Sequence, residues 1–298
     1  MDPGLPILQR LALPHKIIRI SHYFAYSAKN GDNVTDAKHP RPAGQTGIAQ
    51  VDIHGVSVHG KDLSEALIGK TGFTAYFLFL LTGREPDEKL VAVTDACLVA
   101  IAEHGLVPSV QAARMTLAAA PDALQGAVAA GVLGCGSVIL GASETAGQLL
   151  AEVLAGRADG TLAESANSVV RAVRQARKPL PGFGHPTHKL GDPRAHRLLA
   201  VARELGVAGE HVAALEAVAA AVPEHYSKPL PLNVSGAIPA VLLDAGYPAA
   251  ALKGVPMLAR VASLIAHLQE ERRQPIGFIL ADAAEHAIAY NAAPAQAS

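Results

Sequence analysis

Pro181-Gly-Phe-Gly-His-Pro-Thr-His-Lys-Leu-Gly-Asp-Pro-Arg194 is the stretch on which the reading of this chain turns. Its glycines flank Phe183 and put His185 on a tight turn. Nine residues after His185, Arg194 follows an Asp-Pro pair. Asp192 can cap a helix there, and Pro193 suits a first helical position, so the spacing predicts a helix over Pro193–Leu205. A loop histidine beside a fixed cation is fitted to handle a carbonyl or hydroxyl oxygen on an anionic substrate. A plain polar loop punctuated by Gly and Pro has the same composition, so the rest of the chain has to separate the two readings.

The chain has 298 residues, 50% of them hydrophobic, 17% charged and 4% aromatic, with no tryptophan. Ala, Leu and Val supply most of the apolar content, which favours closely packed helices. The formal net charge is −1, and no Lys/Arg run is interleaved with aromatics. Nucleic acid and acidic membrane surfaces are therefore not expected partners. Cys97 and Cys135 lie in apolar, helical-looking segments without a CxxC partner and read as buried, reduced thiols. Met1–Arg10 has no basic region followed by an apolar core, so no secretory signal and a cytoplasmic location are expected. Gly126–Ala142 is the most apolar stretch. It is shorter than the roughly 20 residues of a membrane span and reads as a buried core helix.

The pattern along the chain is mostly helical. Residues 1–50 carry Pro, Gly, Asn and Asp and read as an extended arm. Val51–Gly60 alternates apolar and polar on each side of Gly55, a short hairpin signal. From Ser64 the spacing of Leu67, Phe73, Phe77, Leu78 and Leu81 predicts a helix that Gly83 ends. Further helices are expected over Asp87–Glu103, Ser109–Ala119 and Leu124–Leu133. Two more fill residues 144–178, with a polar break at Gly156–Gly160. Val207–Val222 precedes a proline-bearing connector, Pro223–Pro231, and Asn233–Ala245, Ala250–Gln269 and Ile279–Ala289 close the chain. The fold class expected is all-α, and no repeat of solenoid period is present.

Four blocks in order carry a family resemblance. They are Leu-Ile-Gly-Lys-Thr-Gly-Phe…Phe-Leu-Leu-Thr-Gly-Arg-Glu-Pro (67–86), Ala-Glu-His-Gly-Leu-Val-Pro-Ser-Val-Gln-Ala-Ala-Arg (102–114), the Gly-Phe-Gly-His…Asp-Pro-Arg loop, and Pro-Leu-Asn-Val-Ser-Gly (231–236) followed by Ala-Arg-Val-Ala-Ser-Leu-Ile-Ala-His (259–267). From about Val51 to about Arg273 the chain resembles the citrate synthase superfamily, most closely the short bacterial branch named for citryl-CoA lyase. The resemblance implies a large and a small helical domain with the active site in the cleft between them, and a homodimer or higher homo-oligomer. Carried over, the large domain is 51–144 with 226–298, the small domain is 145–225, and 1–50 is the N-terminal arm.

The resemblance also implies roles. His185 matches the histidine that binds the oxygen at the reacting carbon, a task suited to an imidazole near neutral pH. Arg194 and Arg260 match arginines that grip substrate carboxylates through a planar fork. Arg260 sits on an otherwise apolar helix face and needs a partner there, either a substrate anion or a protein carboxylate. His104 matches a histidine that contacts the oxo-acid; a plain helix-end role fits it as well. Phe183 and Gly184 match the loop that cradles the adenine end of coenzyme A, and Lys189 matches a basic position near its phosphates.

Two departures from the family pattern bear on the reaction. Ile139, in Ser-Val-Ile-Leu-Gly-Ala-Ser-Glu (137–144), stands where the synthases carry a histidine that stabilises the acetyl-CoA enolate; isoleucine cannot donate a hydrogen bond. Lyase-type relatives also lack that histidine. Ser235 stands where the family has an aspartate that exchanges the α-proton, and a serine hydroxyl is a poor base unless activated. His188, Glu144 and a water held by Ser235 are candidates for the missing role. His185 and His188 at i, i+3 have no HExxH or cysteine cluster beside them, so no metal is expected. The glycines at 131, 134, 136 and 141 do not form GxGxxG, and Ser235 lacks a GxSxG elbow.

The function expected is therefore that of a CoA-dependent carbon–carbon lyase. It would cleave citryl-CoA or a similar 3-hydroxyacyl-CoA to acetyl-CoA and an oxo-acid such as oxaloacetate, with His185 and Ser235 as the catalytic candidates and domain closure shielding the enolate. The alternatives are a citrate synthase-type condensing enzyme with an unusual acceptor, and a non-catalytic relative that binds CoA and carboxylates.

Overall fold

The structure, a computed structural model, describes residues 44–184 and 191–291. The chain divides between Gly47 and Ile48 into two units. The arm expected over 1–50 thus lies almost wholly outside the described residues, as do His185, His188 and Lys189.

The second unit opens with a small antiparallel sheet, β1 (Ala49–Val51), β2 (Val56–Val58) and β3 (Lys61–Asp62), in that order. Ala49 faces Val58 and Val51 faces Val56. The Asp52 carboxylate accepts from the amides of His54 and Gly55 and closes the turn, at the hairpin the alternation implies. The helix expected from Ser64 is divided. A π-helical turn covers Leu63–Leu67, and α1 begins only at Phe73 and runs to Thr82. Gly69 between them takes φ 75°, a left-handed conformation that ends the first turn.

The remaining elements are helices. They are α2 (Glu88–Ala102), α3 (Pro108–Ala119), α4 (Leu124–Leu140), α5 (Ala142–Gly156), α6 (Leu162–Gln175), α7 (Pro193–Glu204), α8 (Glu210–His225), α9 (Val234–Asp244), α10 (Gly254–Glu271) and α11 (Gly277–Ala287). Side chains cap many of them, as their sequences require: Asp87 for α2, a Thr161/Glu164 capping box for α6, Asp192 for α7 and Asn233 for α9. Apart from the sheet, the fold is all-α. The connector expected to begin at Pro223 begins later, because α8 continues through that proline to His225. In the last turn a proline removes only one hydrogen bond, and the helix can absorb the loss.

Besides a small cluster of Val58, Leu67 and Phe79 that joins β2, the π-helical turn and α1, two apolar cores organise the unit. The larger joins α2 and α5–α9 around fully buried Leu150, Leu215, Ile238 and Leu242. The second joins α3, α4 and α10 through Val110, Ala113, Leu117, Ala127, Leu264 and Leu268. Truncating a leucine such as Leu264, which is 0% exposed, should destabilise the fold by about 2–5 kcal/mol. Here the helices approach closely: a Cβ on Gly131 would lie 2.7 Å from the Leu264 methyls and 3.0 Å from Ala113 Cβ. Arg114, 2% exposed, locks the far end of this core. Its guanidinium donates to Glu271 and Glu270, both at 2.6 Å, and to the Gln274 carbonyl at 3.0 Å.

One expectation about this region is corrected. Gly126–Ala142 is not a buried core helix: Leu133 is 80% and Val138 86% exposed. The helix also breaks at Gly136, whose φ 64° and ψ 177° are not helical. Taken together, α4 and α5 cover 33 residues, long and apolar enough by length and composition to cross a membrane. That corrects the length argument as well. A break such as Gly136 interrupts the internal hydrogen-bond ladder that a lipid-facing helix must keep. The stretch instead packs one side on α3 and α10 and turns an apolar side outward.

Candidate active site

The second and fourth sequence blocks meet Gly184 and Arg194 of the loop block around one cavity of about 310 Å³. Its polar lining includes His104, Ser109, Arg194, Asn233, Ser235 and Arg260, and its apolar lining includes Cys135, Val138 and Ile139. The structure therefore brings together five of the eight candidate site residues: His104, Gly184, Arg194, Ser235 and Arg260. His185 and Lys189 lie outside the described residues. Phe183 is only 9% exposed and belongs to the larger core. It faces a different cavity, of about 460 Å³, beside His196, Arg203 and Leu232.

The Gly-Phe-Gly turn and the Asn-Val-Ser-Gly turn are built on one another. The Asn233 amide donates to the Gly182 carbonyl at 2.9 Å, and the Gly184 amide donates to the Pro231 carbonyl at 2.7 Å. Asn233 Nδ2 adds a bond to the Gly184 carbonyl at 2.7 Å, while its Oδ1 accepts from the Ser235 amide. The two backbones touch. A Cβ on Gly182, which has φ 82°, would lie 2.7 Å from Gly236 Cα. Only glycine fits both demands, left-handed φ and no side chain. The contact sets Ser235, on the first turn of α9, beside Gly184. Pro239 has no N–H to give the Ser235 carbonyl four residues back.

Asp192 ties this assembly to the cation. Its carboxylate is fully buried and holds Arg194 by two bonds, Nε at 3.0 Å and Nη2 at 2.9 Å. It also accepts from the Arg194 amide, as the expected helix cap, and from the Val234 amide at 2.9 Å. Burial alone would raise its pKa. The bonds from Arg194 and the Val234 amide outweigh burial and hold it below the usual carboxylate range. One carboxylate thus neutralises Arg194, fixes its fork and anchors the turn that carries Ser235.

Arg260 is different. It is 5% exposed on α10, and its Nη1 has no hydrogen-bond partner among the described residues. Of the two partners the sequence allows, no protein carboxylate is found for it among the described residues. A buried cation without a counter-ion is costly, and at a cavity wall it marks a place for an anion.

His104 sits where α2 ends. Glu103 secures that corner by accepting from the amides of His104 and Gly105, from Ser263 Oγ at 2.7 Å and from His267 Nε2 at 3.0 Å. Burial pushes the Glu103 carboxyl up, but Ser263, His267 and the Gly105 amide pull it further the other way, to about 2. Glu103 therefore stays ionised and staples the His104 corner to α10.

Sequence reasoning passed over Ser109, Cys135, Glu103 and the second role of Asp192. Ser109 and Glu103 lie inside the quoted block 102–114, so a signal was present in the block without singling them out. Cys135 and Cys97 are both free and buried. Burial pushes the Cys97 thiol up, as for an inert core cysteine, whereas Cys135 faces the cavity.

Comparison with known proteins places this geometry. The family model for the citrate synthase C-terminal domain matches residues 19–278, beginning well before the stretch that carries the motif blocks. Putative citrate synthase 2 of Mycobacterium tuberculosis is 32% identical over 206 residues, covering 67% of this chain and 52% of that protein. Citrate synthase of Synechocystis is 30% identical over 208 residues, covering 68% and 50%. The chain thus spans about half the length of these curated relatives. Among solved structures, citryl-CoA lyase from Hydrogenobacter thermophilus superposes with a TM-score of 0.75 at 33% identity, covering 86% of this chain and 98% of that one. An ATP citrate lyase of Methanosaeta concilii shares the fold at a TM-score of 0.69 and 19% identity, covering 99% of this chain and 47% of that one. The chain belongs to the citrate synthase family, in the branch that resembles citryl-CoA lyase.

Proposed function

We propose that the protein is a CoA-dependent carbon–carbon lyase that cleaves citryl-CoA, or a similar 3-hydroxyacyl-CoA, to acetyl-CoA and an oxo-acid. The observation that carries this reading is the cavity that gathers Arg194, His104 and Ser235 around the unpartnered Nη1 of buried Arg260. Such a site suits a small polycarboxylate with one oxygen that changes charge during the reaction. The likeness to citryl-CoA lyase over nearly the whole length of that protein supports the same reaction class.

In the cleavage direction the tertiary hydroxyl gives up its proton, the carbon–carbon bond breaks, and the oxo-acid keeps the new carbonyl. The electron pair leaves as the acetyl-CoA enolate, which is then protonated. His104 and the two arginines hold the oxo-acid half, and His185 is assigned the oxygen whose proton moves. Ser235, or a water it holds, returns a proton to the enolate carbon in this reading. Ile139 lines the cavity and offers no hydrogen bond. This favours the lyase over a synthase that relies on a histidine there. The second reading, a condensing enzyme, rests on the relatives named as citrate synthases.

The outward apolar side of α4 fits the contact of a homodimer, and a cytoplasmic location belongs to the same proposal. The deciding experiment is mass-spectrometric product detection after incubation with citryl-CoA. Acetyl-CoA plus oxaloacetate, lost in His185→Ala, is the expected result. Free CoA formed only from acetyl-CoA and an oxo-acid would favour the synthase, and unchanged citryl-CoA with retained binding would favour a non-catalytic relative. Ser235→Asp separates a rewired site from a decayed one: a rise in turnover of orders of magnitude would count against a working role for the serine.

A further inference from the structure

Ser109 is buried to 1% exposure, lines the cavity, and its Oγ has no hydrogen-bond partner among the described residues. A buried hydroxyl without a partner is uncommon in a native fold and calls for an explanation. Its neighbours supply one. Gly131 packs between Ala113 and Leu264, where α4, α3 and α10 converge. Gly134 lies against Ser109 Cα and Ala112, so α3 and α4 run antiparallel. One helical turn nearer the cavity, these positions become Ser109 on α3, Cys135 on α4 and Arg260 on α10. All three line the cavity, so they form its floor. The two buried, unpartnered polar atoms of this wall, Ser109 Oγ and Arg260 Nη1, belong to the same layer. Among the described residues no acidic side chain lines the cavity, and Arg194 is already neutralised by Asp192.

We infer that Ser109 is a substrate-binding residue: its hydroxyl donates to the carboxylate held by Arg260, and the two side chains form a carboxylate clamp at the floor of the cavity. The inference rests on the lyase reading for the identity of the oxo-acid, and deepens it by naming which donors take the ionised carboxylate. The pair complements a planar carboxylate, with a charged nitrogen for one oxygen and a neutral hydroxyl for the other. As the second residue of α3, Ser109 has no carbonyl of its own helix four residues back, so its hydroxyl stays open to a ligand.

Calorimetric titration of the full chain tests this, with oxaloacetate and acetyl-CoA as separate probes. Ser109→Ala should weaken oxaloacetate by about three- to tenfold, the effect of one lost hydrogen bond, and leave acetyl-CoA unchanged. Its thermal midpoint should hold or rise, because a methyl replaces an unsatisfied hydroxyl; a residue with only a structural role would not combine lower affinity with undiminished stability. Ser109→Asp places a carboxylate beside Arg260 and should reduce oxaloacetate affinity at least a hundredfold while sparing acetyl-CoA. Oxaloacetate binding that both variants leave intact overturns the role of Ser109 and leaves the lyase reading standing. Loss of acetyl-CoA rather than oxaloacetate overturns the carboxylate assignment. A wild-type protein that binds neither probe overturns the lyase reading, and the clamp with it.

Discussion

Replacing Asp192 by asparagine should loosen the fold and the site together. The carboxylate is fully buried and accepts from the Arg194 side chain, the Arg194 amide and the Val234 amide. Asparagine keeps one acceptor oxygen, but its NH₂ would face donors head-on, leaving Arg194 without a counter-ion and a backbone amide unpaired. Breaking a buried pair from one side destabilises by about 3–5 kcal/mol. For a unit of this size, each kcal/mol lowers the midpoint by roughly 2–4 °C, so the expected drop is about 6–20 °C. The pH dependence is a second test. The native pKa of Asp192 is held below its ordinary value of 3.8, so its contribution is complete above that value and fades as pH falls through the native pKa. The gap between wild type and variant, measured by urea unfolding, should be full at pH 7 and shrink below about pH 4. A gap under about 1 kcal/mol at pH 7, or one of equal size at pH 7 and pH 3, would refute the reasoning.

Three further outcomes are expected. Arg114→Met leaves the Glu271 carboxylate buried without its cation and should remove about 3–5 kcal/mol, with part of the loss recovered in Arg114→Met/Glu271→Gln; denaturant unfolding of the set checks it. Gly182→Ala forces a methyl against Gly236 Cα at φ 82° and should cost more than about 1 kcal/mol while displacing Ser235, so a thermal shift and a fall in turnover should appear together. Glu103→Gln removes a carboxylate held near pKa 2, but its side chain is 55% exposed and solvent screens much of the effect. The stability change should stay within about 1 kcal/mol, whereas oxo-acid affinity should fall as the His104 corner loosens, read by calorimetry.

What was legible in the sequence follows from the range of the forces involved. Capping is local, so Asp192 before Pro193 and Asn233 before α9 mark helix starts directly. The motif blocks, taken with the family resemblance, carried His104, Arg194, Ser235 and Arg260 to one cavity although they lie far apart along the chain. Long-range pairings left no such trace. Arg114 meets Glu271 across 157 residues, and Ser263 meets Glu103 across 160, with nothing periodic to connect them. The unpartnered state of Ser109 is likewise a property of packing and has no sequence signature. The Gly126–Ala142 stretch misled for another reason. Hydrophobicity reports that a surface avoids water without saying whether its own chain covers it, and Leu133 and Val138 stay 80% and 86% exposed.

The cavity floor and walls come from residues between Ile101 and Arg260, so the pocket exists only when distant parts of the chain are docked at once. Any molecule that occupies it is then coupled by mass action to unfolding of the unit. At a hundred times its dissociation constant, such a ligand adds about 2.7 kcal/mol of apparent stability. By the size scaling used above, that is a rise of roughly 5–11 °C in the melting midpoint. A panel of oxo-acids and acyl thioesters could therefore be ranked by melting temperature alone, without following turnover.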